Sequence, residues 1–439
     1  MKENVPVAQA ATTEKGTGSE LPVRVQEALG ELAGAAQEGL MALSVGVGLG
    51  VLAELMAEEV EQVVGPKGKH DPERSAHRHG HEAGEVTLGG RRVGVERPRV
   101  RSAEGSGEVG LETYAHFADR DPLSRVVMER MLAGTSTRRY PRTQEPVGSE
   151  VEAHARSTSK SAISRTFVER TRVALEQLMA RRLDDVRLAV LMLDGVELKG
   201  RTNVVALGIT TDGVKLPLGL WEGSTENAAV ATALLSDLVD RGLDVEQGVL
   251  CVLDGAKALR KAVRDVLGLD TPVQRCVRHK ERNVAEHLPE RDRPQVKRRL
   301  RRAWARDDHA KALDELRVLA AELDRSHPGA AASLREGLEE TLTLTRLGIG
   351  GQLRRTLEST NPCESMIECV RRSARNVKRW SSGDMALRWT AAGMLEAEGQ
   401  FRRVIGYRDL AKLAVVLERD VAPNRPAQTT IEEGVLTTA

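Results

Sequence analysis

The stretch that decides the fold reads LAVLMLDG at residues 188–195, an unbroken apolar run that ends in Asp194-Gly195. A second stretch of the same kind, GVLCVLDG at residues 248–255, ends in Asp254-Gly255. Each run has the length of a strand, and strands that are apolar on both sides are typical of a sheet with both faces covered. The two stretches therefore predict two buried strands, each followed directly by a carboxylate.

The residues around these two runs predict an α/β protein. Apolar runs at 203–210 and 214–221 flank a Thr-Asp-Gly turn, which is typical of a β-hairpin. Helical periodicity at 226–241 and 256–267 and a short run at 271–276 complete the order strand, strand, strand, helix, strand, helix, strand. In sheets of this class, ligands and catalytic groups gather near strand ends.

Two carboxylates at the ends of neighbouring strands would repel each other unless a cation lies between them. Together with a third acid, such a pair is suited to phosphoryl transfer assisted by two metal ions. The alternative is that an Asp-Gly pair after a strand is ordinary turn chemistry. Two such pairs after two buried strands favour the catalytic interpretation.

Composition limits the class of protein. The 439 residues indicate two to four domains, and 40% hydrophobic residues with 2% aromatics predict a core of Leu, Val and Ala. The net charge is only +1, but basic residues concentrate at 291–306 and 371–379, where a polyanion would be attracted locally. The alternative is that each of these two basic stripes is a solvated helix face without a partner.

The start of the chain, MKENVPVAQAATTEKG, lacks the apolar segment of a signal peptide. The longest uncharged stretch, 39–53, is too short to span a bilayer and is interpreted as a buried or partner-facing helix. No phosphate-binding G-x-x-x-x-G-K-[ST] loop occurs, which argues against ATP-driven chemistry. These features predict a cytoplasmic protein with reduced thiols and no membrane contact.

The N-terminal part, 25–183, is predicted to be a mainly helical DNA-binding and oligomerisation region, after a disordered tail at 1–24. Alternation at 85–101 around Gly89-Gly90 predicts a β-hairpin. Its outward positions are expected to be Arg91, Arg92, Arg97, Arg99 and Arg101. The preceding stretch is interpreted as a solvated loop that carries His70, His77, His79 and His81.

Two helices are predicted next, at 121–134 and 145–154. A longer helix, capped by Ser159 and running to Arg182, follows them. Residues 145–182 thus form a possible helix-turn-helix that reads the major groove of DNA.

Four segments carry a resemblance to a known family: LDGVELKG (193–200), VLDGAKALRKAV (252–263), QRCVRHKERNV (274–284) and STNPCESMIECVRRSARNVKRW (359–380). From about residue 85 to 415 the sequence resembles the Mutator-type bacterial insertion-sequence transposases, of the DDE type. The resemblance implies a catalytic triad of Asp194, Asp254 and Glu364, which lie 60 and 110 residues apart.

The resemblance also implies a ribonuclease-H-like core, at 186–284 and 346–400, interrupted by an all-α insertion at 285–345 and followed by a C-terminal helix and tail at 401–439. It implies two Mg²⁺ or Mn²⁺ ions held by the triad. The implied partners are double-stranded DNA, as terminal inverted repeats and target, and further copies of the chain in a dimer or larger assembly.

Glu364 and Glu368 lie one helical turn apart, so both would share a face. The family's Asn-x-x-Glu pattern, here from Asn361, favours Glu364. The family's Cys-x-x-His element corresponds to Cys276-Val277-Arg278-His279, which alone is half of a zinc site at most, so zinc is not predicted. His279 is expected to contact a phosphate or orient a carboxylate, and a purely structural role is the alternative.

Further residues are expected to contact DNA. Basic side chains after the third acid would meet the phosphate backbone: Arg371, Arg372, Arg375, Lys378 and Arg379. Trp304 is the favoured candidate for stacking on a base, whereas Trp380 and Trp389 are expected to pack in helices.

The function that the resemblance implies is metal-dependent cleavage at element ends, followed by attack of the freed 3′-hydroxyl on target DNA. A nuclease of the same fold and a domesticated DNA-binding protein with an inactive site are the alternatives.

Overall fold

A computed structural model describes residues 40–421, apart from short gaps at 70–73, 89, 104, 106, 120–123, 145–150, 152, 154 and 158. The described residues form fifteen α-helices and two sheets, so the chain is of mixed α/β class, as predicted. They fall into two compact units, one within Met1–Val126 and Arg138–Ile163 and the other within Val127–Thr137 and Ser164–Ala439. None of the described helices combines the length and hydrophobicity that a bilayer crossing requires.

The first part of the chain is a four-stranded sheet with helices. In chain order its elements are α1 (Leu40–Val64), β1 (Ala76–Leu88), β2 (Arg91–Ser102), β3 (Glu108–Val109), α2 (Glu112–Asp119), α3 (Ser124–Leu132), a 3₁₀ turn (Tyr140–Thr143), β4 (Arg156–Ser157) and α4 (Lys160–Met179). Strands β1 and β2 are antiparallel, with Val86 opposite Val93, and β2 also pairs with β3 and β4.

Helix α1 covers most of the uncharged stretch that was predicted to be helical. Leu52, Met56 and Val60 recur every fourth residue and are buried against the apolar face of the β1–β2 pair. The opposite face, with Val47 and Val51, is exposed. The helix is thus amphipathic rather than fully buried.

Three predictions for this region need correction. His77, His79 and His81 lie on strand β1 and not in a loop. The prediction missed this strand because most of its positions are polar, so its sequence shows little alternation of apolar and polar residues. Arg91 is buried, not outward. Arg97 and Arg99 pair with Glu82 and Glu108, so the outer face of the β1–β2 pair is less basic than its arginines alone indicate.

The possible helix-turn-helix is described only in part. Helix α4 begins one residue after Ser159, whose hydroxyl accepts a hydrogen bond from the amide of Ala162 at 3.2 Å, as predicted for an N-cap. It ends at Met179 rather than Arg182. Most of the preceding predicted helix, the 1–24 tail and His70 lie outside the described residues.

A five-stranded sheet forms the centre of the second unit. Its elements are β5 (Leu188–Leu198), β6 (Arg201–Thr210), β7 (Lys215–Glu222), α5 (Ala228–Asp240), β8 (Leu250–Leu253), α6 (Lys257–Leu267) and β9 (Val273–Arg275). This is the predicted element order. The strands lie in the order β7-β6-β5-β8-β9, with β5, β6 and β7 antiparallel and β5, β8 and β9 parallel.

The apolar runs of β5 and β8 are buried, as predicted from their composition. Leu191 and Leu193 of β5 pack with Leu234 of α5 and Leu259 of α6 in one hydrophobic cluster. Burying each such side chain contributes about 1.5–3 kcal/mol to folding, so this cluster fixes the two strands that carry Asp194 and Asp254.

Helices follow β9. They are α7 (Val277–Glu286), α8 (Arg293–Trp304), α9 (His309–Ser326), α10 (Pro328–Arg335), α11 (Thr343–Arg346), α12 (Gly351–Leu357), α13 (Asn361–Ser373), α14 (Gly383–Gln400) and α15 (Leu410–Val421). A second hydrophobic cluster, reaching from Val277 to Leu342, holds α7 to α10 together. Buried Gln274 at the end of the sheet donates to the carbonyl of Thr341 at 3.0 Å and joins these helices to the strands.

Candidate active site

Asp194 lies inside a strand and not in a turn. Strand β5 continues past it to Leu198, paired throughout with β6. The parallel pairing of β5 with β8 ends at Leu193 opposite Leu253. Asp194 and Asp254 are therefore the next residues on two neighbouring parallel strands, and turn chemistry does not account for Asp194.

The turn that carries Asp254 is held from two sides. The carboxylate accepts a hydrogen bond from the amide of Ala256 at 2.8 Å. Gly255 has φ +105°, and the guanidinium of Arg275 packs where a β-carbon would be. Arg275 in turn donates to the carbonyl of Glu336 at 2.7 Å, so the turn is tied to the helices beyond the sheet.

Glu364 lies in the first turn of α13. The hydroxyl of Thr360 donates to its Oε1 at 3.2 Å, and Nε2 of His279 on α7 lies 3.9 Å from the same oxygen. Glu368, one turn further along, is exposed. Two polar neighbours thus orient Glu364.

The three acids line one cleft of about 740 Å³. Its lining residues come from β5, β6, the segment after β7, the turn after β8, α7 and α13: Asp194, Gly195, Glu197, Thr202, Ser224, Thr225, Asp254, His279, Arg282, Asn361, Glu364, Ser365, Ile367, Glu368 and Arg371. Sequence positions more than 160 residues apart therefore meet at one site.

Asp194 is electrostatically destabilised. Its side chain is buried, and this burial, with the negative charges of Asp254 and Glu364, raises its pKa to about 6. The amide of Gly195, which donates to it at 2.8 Å, and the positive charge of His279 act in the opposite direction. A carboxylate in this state gains stability from any cation that enters the cleft.

The pKa values of His279, which lines the cleft, and of buried Cys276 each affect the other. The contact with the Cys276 thiol raises the pKa of His279, against the effect of burial, and Asp194 raises it further. Burial opposes ionisation of Cys276, but the contact with His279 lowers the thiol pKa overall. Because Cys276 is fully buried, it can act on His279 but cannot touch a DNA strand.

Comparison with known sequences identifies the family. The sequence profile of the Mutator family of transposases matches residues 32–403, which is most of the chain. The chain belongs to the Mutator family of transposases. This confirms the resemblance drawn from the motifs around Asp194, Asp254 and Glu364.

Several curated relatives are similar over almost their whole length. The transposase of the insertion sequence element ISRM5 of Rhizobium meliloti is 28% identical over 83% of this chain and 89% of its own. The transposase of IS1081 of Mycobacterium tuberculosis is 27% identical over 86% of this chain and 92% of its own. The transposase of IS256 in transposon Tn4001 of Staphylococcus aureus is 24% identical over 80% of this chain and 89% of its own.

The two basic stripes of this transposase-family chain differ in their partners. On α8 and just after it, glutamates of α7 and α9 pair with the cations of Lys297, Arg299, Arg301, Arg302 and Arg306. After the third acid, the exposed cations at 371–379 make no ion pair within the described residues. The second stripe thus presents uncompensated positive charge, and the first is largely a neutralised helix face.

The expectation for Trp304 is wrong. Its ring lies in the hydrophobic cluster of α7 to α10, and its Nε1 donates to Thr341 Oγ1 at 3.1 Å. No ring face is free to stack on a base. Trp380 and Trp389 meet edge to face, with ring centroids 6.2 Å apart, in agreement with the packing role predicted for them.

The other predicted accessory residues lie at different places. Asn361 and Arg371 line the cleft. Arg278 is exposed on α7. Arg372 donates to Cys369 Sγ at 2.9 Å.

Sequence reasoning missed Arg282, Ser224 and Thr225, which also line the cleft. The spacing of three residues from His279 to Arg282 on one helix was a usable signal. Ser224 and Thr225 follow an antiparallel strand and carry no such signal.

The close approach at Gly255 gives a testable consequence for stability. Replacing Gly255 with Ala would press a β-carbon onto Arg275, whereas the same change at Gly200 meets open space at a similar positive φ. Both changes strain the backbone, so their difference isolates the collision. We expect the free energy of unfolding in urea to fall by about 1–3 kcal/mol more for Gly255→Ala than for Gly200→Ala. Equal losses would show that Arg275 does not pack there.

Proposed function

We propose that this protein is a DNA transposase that cuts strands at the ends of its element and transfers the freed 3′-hydroxyl to target DNA. The observation that carries the proposal is that Asp194 and Asp254, the residues just past the end of the parallel β5–β8 pairing, line one cleft with Glu364. Membership of a transposase family supports the same function.

The strand order supports a ribonuclease-H-like core. Three antiparallel strands come first in sequence, and two parallel strands are added beside the first of them. The separate hydrophobic cluster of α7 to α10 supports a helical insertion between the second and third acids. We infer that this core is the catalytic part of the chain.

The donor chemistry of the cleft fits Mg²⁺ or Mn²⁺. Among the residues that the structure describes, no three His, Cys, Asp or Glu side chains form a group already spaced to hold a metal ion. However, the triad offers carboxylate oxygens, which these ions prefer. Burial raises the pKa of Asp194 most and the negative charges of Asp254 and Glu364 raise it further, and a divalent cation would offset this cost. We infer that Asp194, Asp254 and Glu364 would hold up to two such ions, which when bound supply neutralisation of the phosphate and activation of the attacking hydroxyl.

The cations at the cleft mouth would position the DNA strand. Arg282 and Arg371 line the cleft beside the acids, and guanidinium groups bind phosphate oxygens in a bidentate manner. His279 lies next to Glu364 and would hold it or donate to a phosphate oxygen. Cleavage and transfer are both displacements at phosphorus, so one such site can serve both.

Glu364 is favoured over Glu368 as the third acid. It receives the hydrogen bond from Thr360, approaches His279, and contributes to the raised pKa of Asp194. Glu368 has none of these contacts in the described part of the chain.

The proposal predicts metal-dependent cutting of DNA at the element end. The purified protein would be incubated with an end-labelled duplex that carries its own element end, with Mg²⁺ or with EDTA. A duplex with a scrambled terminal repeat is the matched control. We expect cleavage only when Mg²⁺ is present and only on the duplex with the true element end, because both the cation and the repeat are needed. Binding without cutting in Mg²⁺ would instead support an inactive DNA-binding protein.

A further inference from the structure

The turn between β5 and β6 has an unusual residue at its tip. Lys199 and Gly200 both have positive φ, at 47° and 85°. Two-residue hairpin turns of this kind favour Asn-Gly or Gly-Gly, because a longer side chain is strained in the left-handed region. Lys199 is the one residue other than glycine with positive φ in the described part of the chain. Backbone preference therefore does not account for a lysine here.

The side chain of Lys199 links the turn between β5 and β6 to the segment that follows α13. Its ammonium donates to the carbonyl of Val377 at 3.0 Å. Val377 lies in the segment 374–382 that follows α13, the helix of Glu364, while Lys199 ends the strand of Asp194. The contact thus fixes the ammonium beside the segment that contains Lys378 and Arg379.

The ammonium is also electrostatically uncompensated. No carboxylate pairs with Lys199, Lys378 or Arg379 within the described residues. Arg201, two positions further along and the first residue of β6, differs in that it pairs with Glu222 at 3.2 Å. An ammonium has three donors, and the carbonyl of Val377 uses one of them, so two remain for another acceptor.

We propose that Lys199 binds a backbone phosphate of the DNA strand that enters the acidic cleft, together with the basic segment after α13. The proposal rests on the proposed function, since DNA is the substrate of that site. The strain at Lys199 is then the cost of presenting a fixed cation at the tip of a turn whose two strands line the cleft through Glu197 and Thr202. Such a contact positions the strand and reads no sequence.

The test compares variants that relieve the strain and remove the charge. Lys199→Gly and Lys199→Asn both suit a left-handed residue, and Arg201→Gln removes a neighbouring cation that a carboxylate already neutralises. Binding of a short labelled duplex of arbitrary sequence would be measured by fluorescence anisotropy, without Mg²⁺, over a range of salt concentrations. Urea unfolding of each variant would be measured in parallel.

For both Lys199 variants we expect an unfolding midpoint equal to or above that of the parent, with a Kd raised roughly three- to tenfold. The slope of log Kd against log salt should fall by about one, because one phosphate contact is lost. Arg201→Gln should bind like the parent. An unchanged Kd in the Lys199 variants, or a higher Kd with an unchanged salt slope, overturns the contact. A parent that binds no duplex overturns the proposed function together with it.

Discussion

Replacing Asp194, Asp254 or Glu364 with its amide is expected to lower the rate of DNA cleavage by about 10³-fold or more. Each change keeps the shape of the side chain but removes a negative charge that would hold a cation. Metal ions stabilise the transition state of phosphoryl transfer by several kcal/mol, and each 1.36 kcal/mol corresponds to about tenfold in rate. The measurement is the single-turnover rate of cutting at the element end in saturating Mg²⁺.

Glu368→Gln is the matched control for this series. Glu368 lies on the same helix and lines the same cleft as Glu364, but it is exposed and does not contribute to the raised pKa of Asp194. We expect its cleavage rate to stay within a few-fold of the parent. A large loss in this variant with little loss in Glu364→Gln would mean that the third acid has been assigned to the wrong residue.

The second large effect concerns stability. The Asp194→Asn change that is expected to slow cleavage is also expected to make the folded protein more stable. Without metal, Asp194→Asn is expected to raise the free energy of unfolding at pH 7 to 8 by up to about 3 kcal/mol. The pKa of Asp194 rises from an ordinary 3.8 to about 6 on folding. The folded state therefore binds the proton more tightly, and its stability falls as pH increases from about 4 to about 6. Asn carries no charge and escapes this loss.

Urea unfolding at pH 4 and at pH 8, with EDTA and with Mg²⁺, measures this effect. The gain in the Asn variant should vanish at pH 4, where Asp194 is protonated in the folded state. Mg²⁺ should stabilise the parent more than the variant at pH 8, because binding to the folded state alone stabilises it. An Asn variant that is less stable than the parent at pH 8 without metal contradicts the electrostatic account. A stable variant that does not cut DNA would also exclude unfolding as the cause of lost activity.

Much of the sheet could be predicted from the sequence because its strands are marked by strong local patterns. The runs before Asp194 and Asp254 are fully apolar and fully buried, and the alternating elements between them appear in the predicted order. The adjacency of β5 and β8 required the structure, since the sequence does not state which strands pair. Once β5 and β8 are known to pair, Asp194 and Asp254 are found side by side, because the pairing ends at Leu193 opposite Leu253.

The predictions that failed depended on contacts between residues distant in sequence. Trp304 lies in a basic stretch and looked accessible, but the helix packs it into an apolar cluster with Thr341 as its partner. Arg97 and Arg99 looked free because Glu82 and Glu108 are brought to them only by strand pairing. Lys199 lies in the segment LDGVELKG that carries the family resemblance, but the sequence assigned it no role. Its interest comes from a backbone angle and one contact across 178 residues.

The central claim is that one cleft both cuts and joins DNA, and strand transfer tests it most directly. A labelled duplex that ends in a pre-cut 3′-hydroxyl at the element end would be incubated with the protein, a supercoiled target plasmid and Mg²⁺, beside an otherwise identical duplex with a 3′-deoxy end. The account predicts labelled duplex joined covalently to the plasmid, only with the 3′-hydroxyl and not with the Asp254→Asn variant. Cutting of element ends with no joined product would contradict it and leave a nuclease as the function of this site.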